Sequence, residues 1–223
     1  MSIFDWPATL VPRNIQVLPP RATQGLTESL TQFTQAQPVI RPPFTVTMEF
    51  DELFGRDVLA WRAMLALLEG RAHCARLPLF DLWYRASEAA IAAGLSGFSD
   101  GALFSDGASF STSDLADVTV TGAQGQRWIE VDFGDHGQLL EGGLYFGIGE
   151  HPYIASSVVW TGTVARIRCS PTLRTAYADA PLKLKPTMIG RLTSDDGGAL
   201  MLKNLRHGAP SITFQEDFVE PLS

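Results

Sequence analysis

The sequence predicts an α+β fold that is mainly β: a β-sandwich or barrel carrying one packed amphipathic helix, with a small β-barrel-like module inserted into it. Three observations lead there. Phe44-Thr-Val-Thr-Met-Glu-Phe50 alternates strictly, as a half-buried strand must. Residues 57–70 switch to helical period. From Arg127 onward, short apolar runs recur between Gly-rich turns, the rhythm of a small barrel or sandwich.

Along the chain, Arg13-Asn-Ile-Gln-Val-Leu18 reads as a strand ended by Pro19-Pro20, because proline cannot donate to a ladder. Residues 22–37, ATQGLTESLTQFTQAQ, carry Leu26, Leu30 and Phe33 at spacings a helix face would also show. Their Thr richness and the lack of caps favour an extended hairpin arm. The strand at 44–50 places Phe44, Val46, Met48 and Phe50 on one side. The helix after it puts Val58, Trp61, Met64/Leu65 and Leu68 on one stripe. Asp57 is its expected N-cap and Gly70 its C′ stop. His73 to Phe80 should return as a strand alongside the first, and Trp83 to Ala93 should form a second short helix.

Residues 94–125 are rich in Gly, Ser, Asp and Ala. They hold a short repeat, Phe98-Ser-Asp-Gly101, Phe104-Ser-Asp-Gly107 and Phe110-Ser111, which reads as successive turns pinned by phenylalanines. Its Asp spacing does not match an EF-hand loop. Strands are then expected at 128–133, 144–148, 153–160 and 163–169, with Thr161-Gly162 as a turn and 171–174 closing the module. The last part should supply strands at 187–192, 199–205 and 211–214, separated by turns at 194–198 and His207-Gly208.

The chain has 223 residues, of which 45% are hydrophobic and 18% charged, enough apolar material for a sizeable core. Its net charge of −7 argues against wrapping nucleic acid, since that binding depends on Lys and Arg neutralising phosphates. No run approaches the roughly 18 apolar residues of a membrane span. The start, MSIFDWPATLVPRN, lacks the apolar core of a signal peptide. Cys74 and Cys169 fall in no CxxC pair and read as reduced, partly buried thiols of a cytosolic product. His73–Cys74 is a poor chelate, because neighbours on a strand point to opposite faces.

Catalytic and cofactor motifs are missing from the sequence. It contains no GxGxxG, no GxxxxGK[ST] and no GxSxG. The acid pairs Asp51-Glu52, Asp195-Asp196 and Glu216-Asp217 read as solvated turns or strand ends. His136 in Gly134-Asp-His-Gly137 reads as a hairpin tip, and His151-Pro152 as a turn. The expectation is therefore a non-enzyme with no cofactor and no metal. The aromatics Trp128, Phe133, Tyr145, Phe146, Tyr153 and Trp160 read as a barrel core. A sugar-binding platform is the alternative reading, which would make the chain a carbohydrate- or receptor-binding module.

One arrangement is more specific. Strands come first, then a single amphipathic helix, then Leu68-Glu-Gly-Arg71 and a strand to Leu77-Pro-Leu-Phe-Asp81. This resembles the ring-forming domain of siphophage distal tail proteins, whose fold is related to tail-tube proteins. Gly142-Gly-Leu-Tyr-Phe-Gly-Ile-Gly149, Tyr153-Ile-Ala, Gly162 before Ile167, and Ser170-Pro-Thr-Leu-Arg174 resemble a small β module of siphophage minor tail proteins. So does the Phe-Ser-Asp-Gly repeat. The resemblance implies a virion structural protein of the tail tip, made in the host cytoplasm. It would form a hexameric ring joining the tail tube protein to the hub and tip proteins. DNA would pass through the lumen without specific binding, which suits an acidic chain. Residues 1–94 with 178–223 would be the ring domain and 95–177 the insertion. Thr27, Thr31, Phe33 and Gln35 on the hairpin arm are the expected contacts to a neighbouring copy, because an exposed strand edge can be paired by a sister subunit.

Overall fold

The computed structural model describes residues 1–20, 42–79, 115 and 117–218 in full, and 23–28 and 34–38 by their backbone. Two compact units divide the chain: Met1–Phe80 with Met188–Ser223, and Asp81–Thr187. Both boundaries differ from those expected, after residues 94 and 177. The expected helix at 83–93 and the Phe-Ser-Asp-Gly repeat lie outside the described residues.

In the first unit, β1 (Ile3–Asp5), β2 (Asn14–Leu18), β5 (Thr45–Glu49), β7 (Cys74–Pro78), β14 (Thr187–Leu192) and β16 (Ser211–Glu216) form one sheet in the order β1-β7-β14-β16-β5-β2. β1 and β7 run parallel, while β14–β16, β16–β5 and β5–β2 are antiparallel. The strand returning after the helix thus lies beside β1, at the very start of the chain's described residues, and parallel to it. β3 (Thr23–Glu28) and β4 (Thr34–Pro38) form a separate two-stranded antiparallel sheet, so this arm is a hairpin.

Alternation decides which face of β5 is buried. Phe44, Val46 and Met48 are fully buried and Phe50 nearly so, as the pattern predicted. Each Leu- or Phe-sized side chain buried in this way stabilises the fold by about 1.5–3 kcal/mol. The helix α1 (Arg56–Leu68) buries Val58, Trp61, Met64 and Leu68. Trp61 meets Phe50 at 5.0 Å and Trp6 at 5.9 Å between ring centroids, and Trp6 reaches Phe214 at 5.7 Å. Both indoles keep their N–H satisfied: Trp6 donates to the Leu10 carbonyl and Trp61 to that of Gly198.

The helix cap differs from expectation. Gly55 is the N-cap residue, with φ +58° and no side-chain cap, while Asp57 lies inside the first turn. The short strand β6 (Leu53–Phe54) runs directly into the helix, and a reversal that abrupt needs the positive φ that glycine supplies. Asp57 still favours the helix by facing the positive end of its dipole. At the other end, Glu69 is left-handed and Gly70 follows at φ +66°.

Residues 199–205 do not form the expected strand. Lys203 makes an isolated bridge to His207, and Asn204 and Leu205 turn with φ +50° and +60°. His207-Gly208, expected as a turn, is the strand β15, which pairs with β6 through His207↔Phe54 and Gly208↔Leu53. Apolar content suggested a strand at 199–205, but the run lacks the alternation that would place one face inside.

The second unit is a six-stranded, nearly closed barrel-like sheet. β8 (Thr119–Gly122), β9 (Trp128–Asp132), β10 (Tyr145–Ile148), β11 (His151–Thr161), β12 (Val164–Ser170) and β13 (Tyr177–Lys183) follow the order β8-β13-β10-β11-β12-β9. The two ends, β8 and β9, approach each other. β13 pairs with both β8 and β10, so without it this sheet would split, and it belongs here rather than to the first unit. Inward-facing Val120, Ile129, Val131, Phe146, Ile148, Ala165 and Ile167 fill the core. His151-Pro152 opens β11 instead of marking a turn, because Pro152 pairs with Gly147; the turn is Gly149-Glu150. Gly134–His136 is a 3-10 turn between β9 and β10, which are not sheet neighbours, and so is no hairpin tip.

Candidate assembly surface

The open sheet of the first unit leaves β1 and β2 as edges. β2 pairs with β5 on one side and with no described strand on the other. An edge of this kind presents unpaired N–H and C=O groups to a partner strand. Apolar side chains accompany it: Val11 is 62% exposed and Leu18 is 48% exposed. The β3–β4 hairpin likewise pairs with no other described strand. Of the four expected contact residues, Thr27 and Gln35 sit directly opposite each other in the hairpin register. Thr31 and Phe33 lie outside the described residues.

A second exposed feature was not anticipated. Phe54 is 70% exposed on the outer side of β6, and Leu205 is 88% exposed at the turn following Lys203. With Val58, Arg62, Leu202 and Arg206 they line a groove of about 430 Å³. Leu205 holds a left-handed backbone, which costs a non-glycine residue roughly 1–2 kcal/mol. The available signal was local: Leu53-Phe54 precedes the helix, and Ala199-Leu-Met-Leu202 is apolar without alternation.

Several ionisable groups are engaged in structure. Asp195 accepts from the backbone N–H and Nε of Arg71 at 3.2 and 3.0 Å. That hydrogen bond holds the Asp195 carboxyl below its ordinary range. Asp117 is lowered likewise by its hydrogen bond to His136 Nε2 at 2.8 Å. Glu216 and Asp217 are not solvated, contrary to expectation. Glu216 is buried and accepts from the Phe44 amide. Asp217 takes the Arg191 guanidinium and the Cys74 thiol, 3.5 Å away. The strand end is drawn inside because its carboxylates meet donors there.

Both cysteines are free and buried. Burial, helped by the Asp217 charge, pushes the Cys74 thiol up to about 11, and burial alone pushes Cys169 up to about 12. Both are therefore thiols rather than thiolates near neutral pH. Among the described residues, no three His, Cys, Asp or Glu side chains gather to hold a metal ion. No described helix is long and apolar enough to cross a membrane.

Phe133, Phe146 and Tyr153 of the aromatic group are fully buried, while Trp128, Tyr145 and Trp160 are half-buried. Tyr153 and Tyr177 share a hydroxyl–hydroxyl bond of 2.9 Å, and the Arg174 amide donates to Tyr153 Oη at 2.9 Å. Trp160 rests 5.1 Å from Phe133 and donates to the Leu140 carbonyl. Arg166 covers the Trp128 ring at 4.9 Å.

The chain matches no protein-family model and no curated protein.

Proposed function

We propose that this chain is a structural ring subunit of a long-tailed phage tail tip, built on a tail-tube-like domain. The ring joins the tail tube to the hub and tip proteins and lets DNA pass through its lumen. The observation carrying this reading is the β3–β4 hairpin, a two-stranded sheet that no other described strand extends. An isolated two-stranded hairpin is marginal in water and gains most from pairing with a further strand. The β2 edge offers a place for a neighbour's strand, and head-to-tail pairing of unlike surfaces closes into a ring when its rotation permits. The net charge of −7 suits a lumen that must release DNA. Sedimentation and negative-stain imaging of the full chain and of a deletion of residues 22–37 test the proposal. Rings from the full chain and a folded monomer from the deletion support it. Rings that survive the deletion, or a full chain that stays monomeric at high concentration, reject it.

A further inference from the structure

The groove beside the helix start is apolar at its walls and cationic at its rim. Phe54 and Val58 form one side, Leu202 and Leu205 the other, with Arg62 and Arg206 among them. No carboxylate lines it among the described residues, and neither arginine has a described ion-pair partner. Elsewhere in this chain of net charge −7, Arg13 is neutralised by Asp51, Arg71 by Asp195, Arg76 by Asp5 and Arg191 by Asp217, whereas Arg62 and Arg206 stand at the groove with no described counter-charge. Leu205 adds a second departure. A leucine is held exposed with a left-handed backbone on a turn that offers it no core. Strain of this type persists where a surface has a task, here the presentation of an apolar contact.

We propose that this groove docks an acidic, amphipathic segment of another protein. Bulky apolar side chains would fill the space between Phe54 and Leu205, and flanking carboxylates would face Arg62 and Arg206. Arginine is suited to this work, since its planar fork takes a carboxylate in bidentate fashion while its stem lies on apolar surface. A second copy of this chain is the alternative occupant that the test below separates, while a cationic partner is mismatched to the rim and a nucleic acid to the apolar walls. The residues lining the groove are not those invoked for ring closure, so the proposal stands whether or not the chain forms rings.

Fluorescence anisotropy on the full chain tests it, using a short fluorescein-labelled peptide in which Leu and Phe alternate with Glu, and a counterpart with Lys in place of Glu. The Glu peptide should bind saturably, at least about tenfold tighter than the Lys peptide, and weaken as salt rises. Arg62→Glu combined with Arg206→Glu should lower Glu-peptide affinity about tenfold or more and shift the preference toward the Lys peptide. Near-UV circular dichroism checks that the variant is folded; if it is not, Arg206→Gln on the exposed turn should still weaken the Glu peptide severalfold. Equal binding of both peptides, or no saturable binding of the Glu peptide, overturns the proposal. So does a charge reversal that alters self-association while leaving peptide affinity unchanged, since a second copy would then cover the groove.

Discussion

Phe44 and Glu216 are bound to each other twice: the Phe44 amide donates to the Glu216 carboxylate at 3.0 Å, and the Glu216 amide donates to the Phe44 carbonyl at 2.8 Å. The two residues are 172 positions apart, and their pairing closes the register of β5 against β16. Glu216→Ala should leave the buried Phe44 N–H without its acceptor and lower stability by about 1–3 kcal/mol. Urea unfolding checks this, and a midpoint unchanged from the parent would contradict it.

The barrel unit has a comparable internal clamp. Tyr153 Oη takes the Arg174 amide and bonds Tyr177 Oη. Tyr153→Phe keeps the ring, which is fully buried, and removes only the oxygen. Stability should fall by about 1–3 kcal/mol, because two buried donors or acceptors lose their partner together. Differential scanning calorimetry should show the loss.

Acid should weaken the protein below about pH 4. Asp195 and Asp117 have carboxyls lowered by their hydrogen bonds to Arg71 and His136. A group with a depressed folded-state pKa adds stability above its unfolded pKa and loses it as pH falls through the folded value. Both side chains are largely exposed, so each contribution is small. Thermal melts of Asp195→Asn against the parent should converge as pH drops below about 4 and separate above it. A gap that widens toward acid would reverse the assignment.

The two thiols should react with a disulfide reagent only as the protein unfolds. Burial raises Cys74 to about 11 and Cys169 to about 12, leaving little thiolate at neutral pH. Reagent uptake should track global unfolding in urea. A rapid phase for Cys74 under native conditions would show that the Asp217 and Arg191 cover opens locally.

If the β2 edge carries the proposed assembly, charges beside it should oppose closure. Val11→Lys with Leu18→Lys alters exposed positions and should leave stability within about 0.5 kcal/mol. The ring fraction in sedimentation should fall severalfold, since edge lysines are a common device against strand addition. Unchanged rings would remove β2 from the interface.

Several elements were legible from short stretches of chain. Phe44-Val46-Met48-Phe50 alternates, and those four side chains are the buried face of β5. Val58, Trp61, Met64 and Leu68 repeat at helical spacing, and they are the buried stripe of α1. The Thr-rich arm resolves as a hairpin with Thr27 opposite Gln35. Periodicity works in these places because burial of one face is a local consequence of backbone geometry. The groove was not legible. Phe54 and Leu205 are 151 positions apart, and only the pairing of β6 with β15 places their segments side by side.

By itself the sequence determined the mainly β character, the single described helix with its buried stripe, and, to within a residue at each end, the barrel strands expected at 128–133, 144–148 and 163–169. Each rests on neighbours within a few residues, where side-chain period and backbone preference agree. Tertiary structure alone decided that β7 lies parallel to β1, that β13 completes the barrel, that Glu216 and Asp217 turn inward, and that Arg62 and Arg206 stand at one groove. These depend on which distant segments meet, and that is set by the free energy of burying whole faces together rather than by any local pattern.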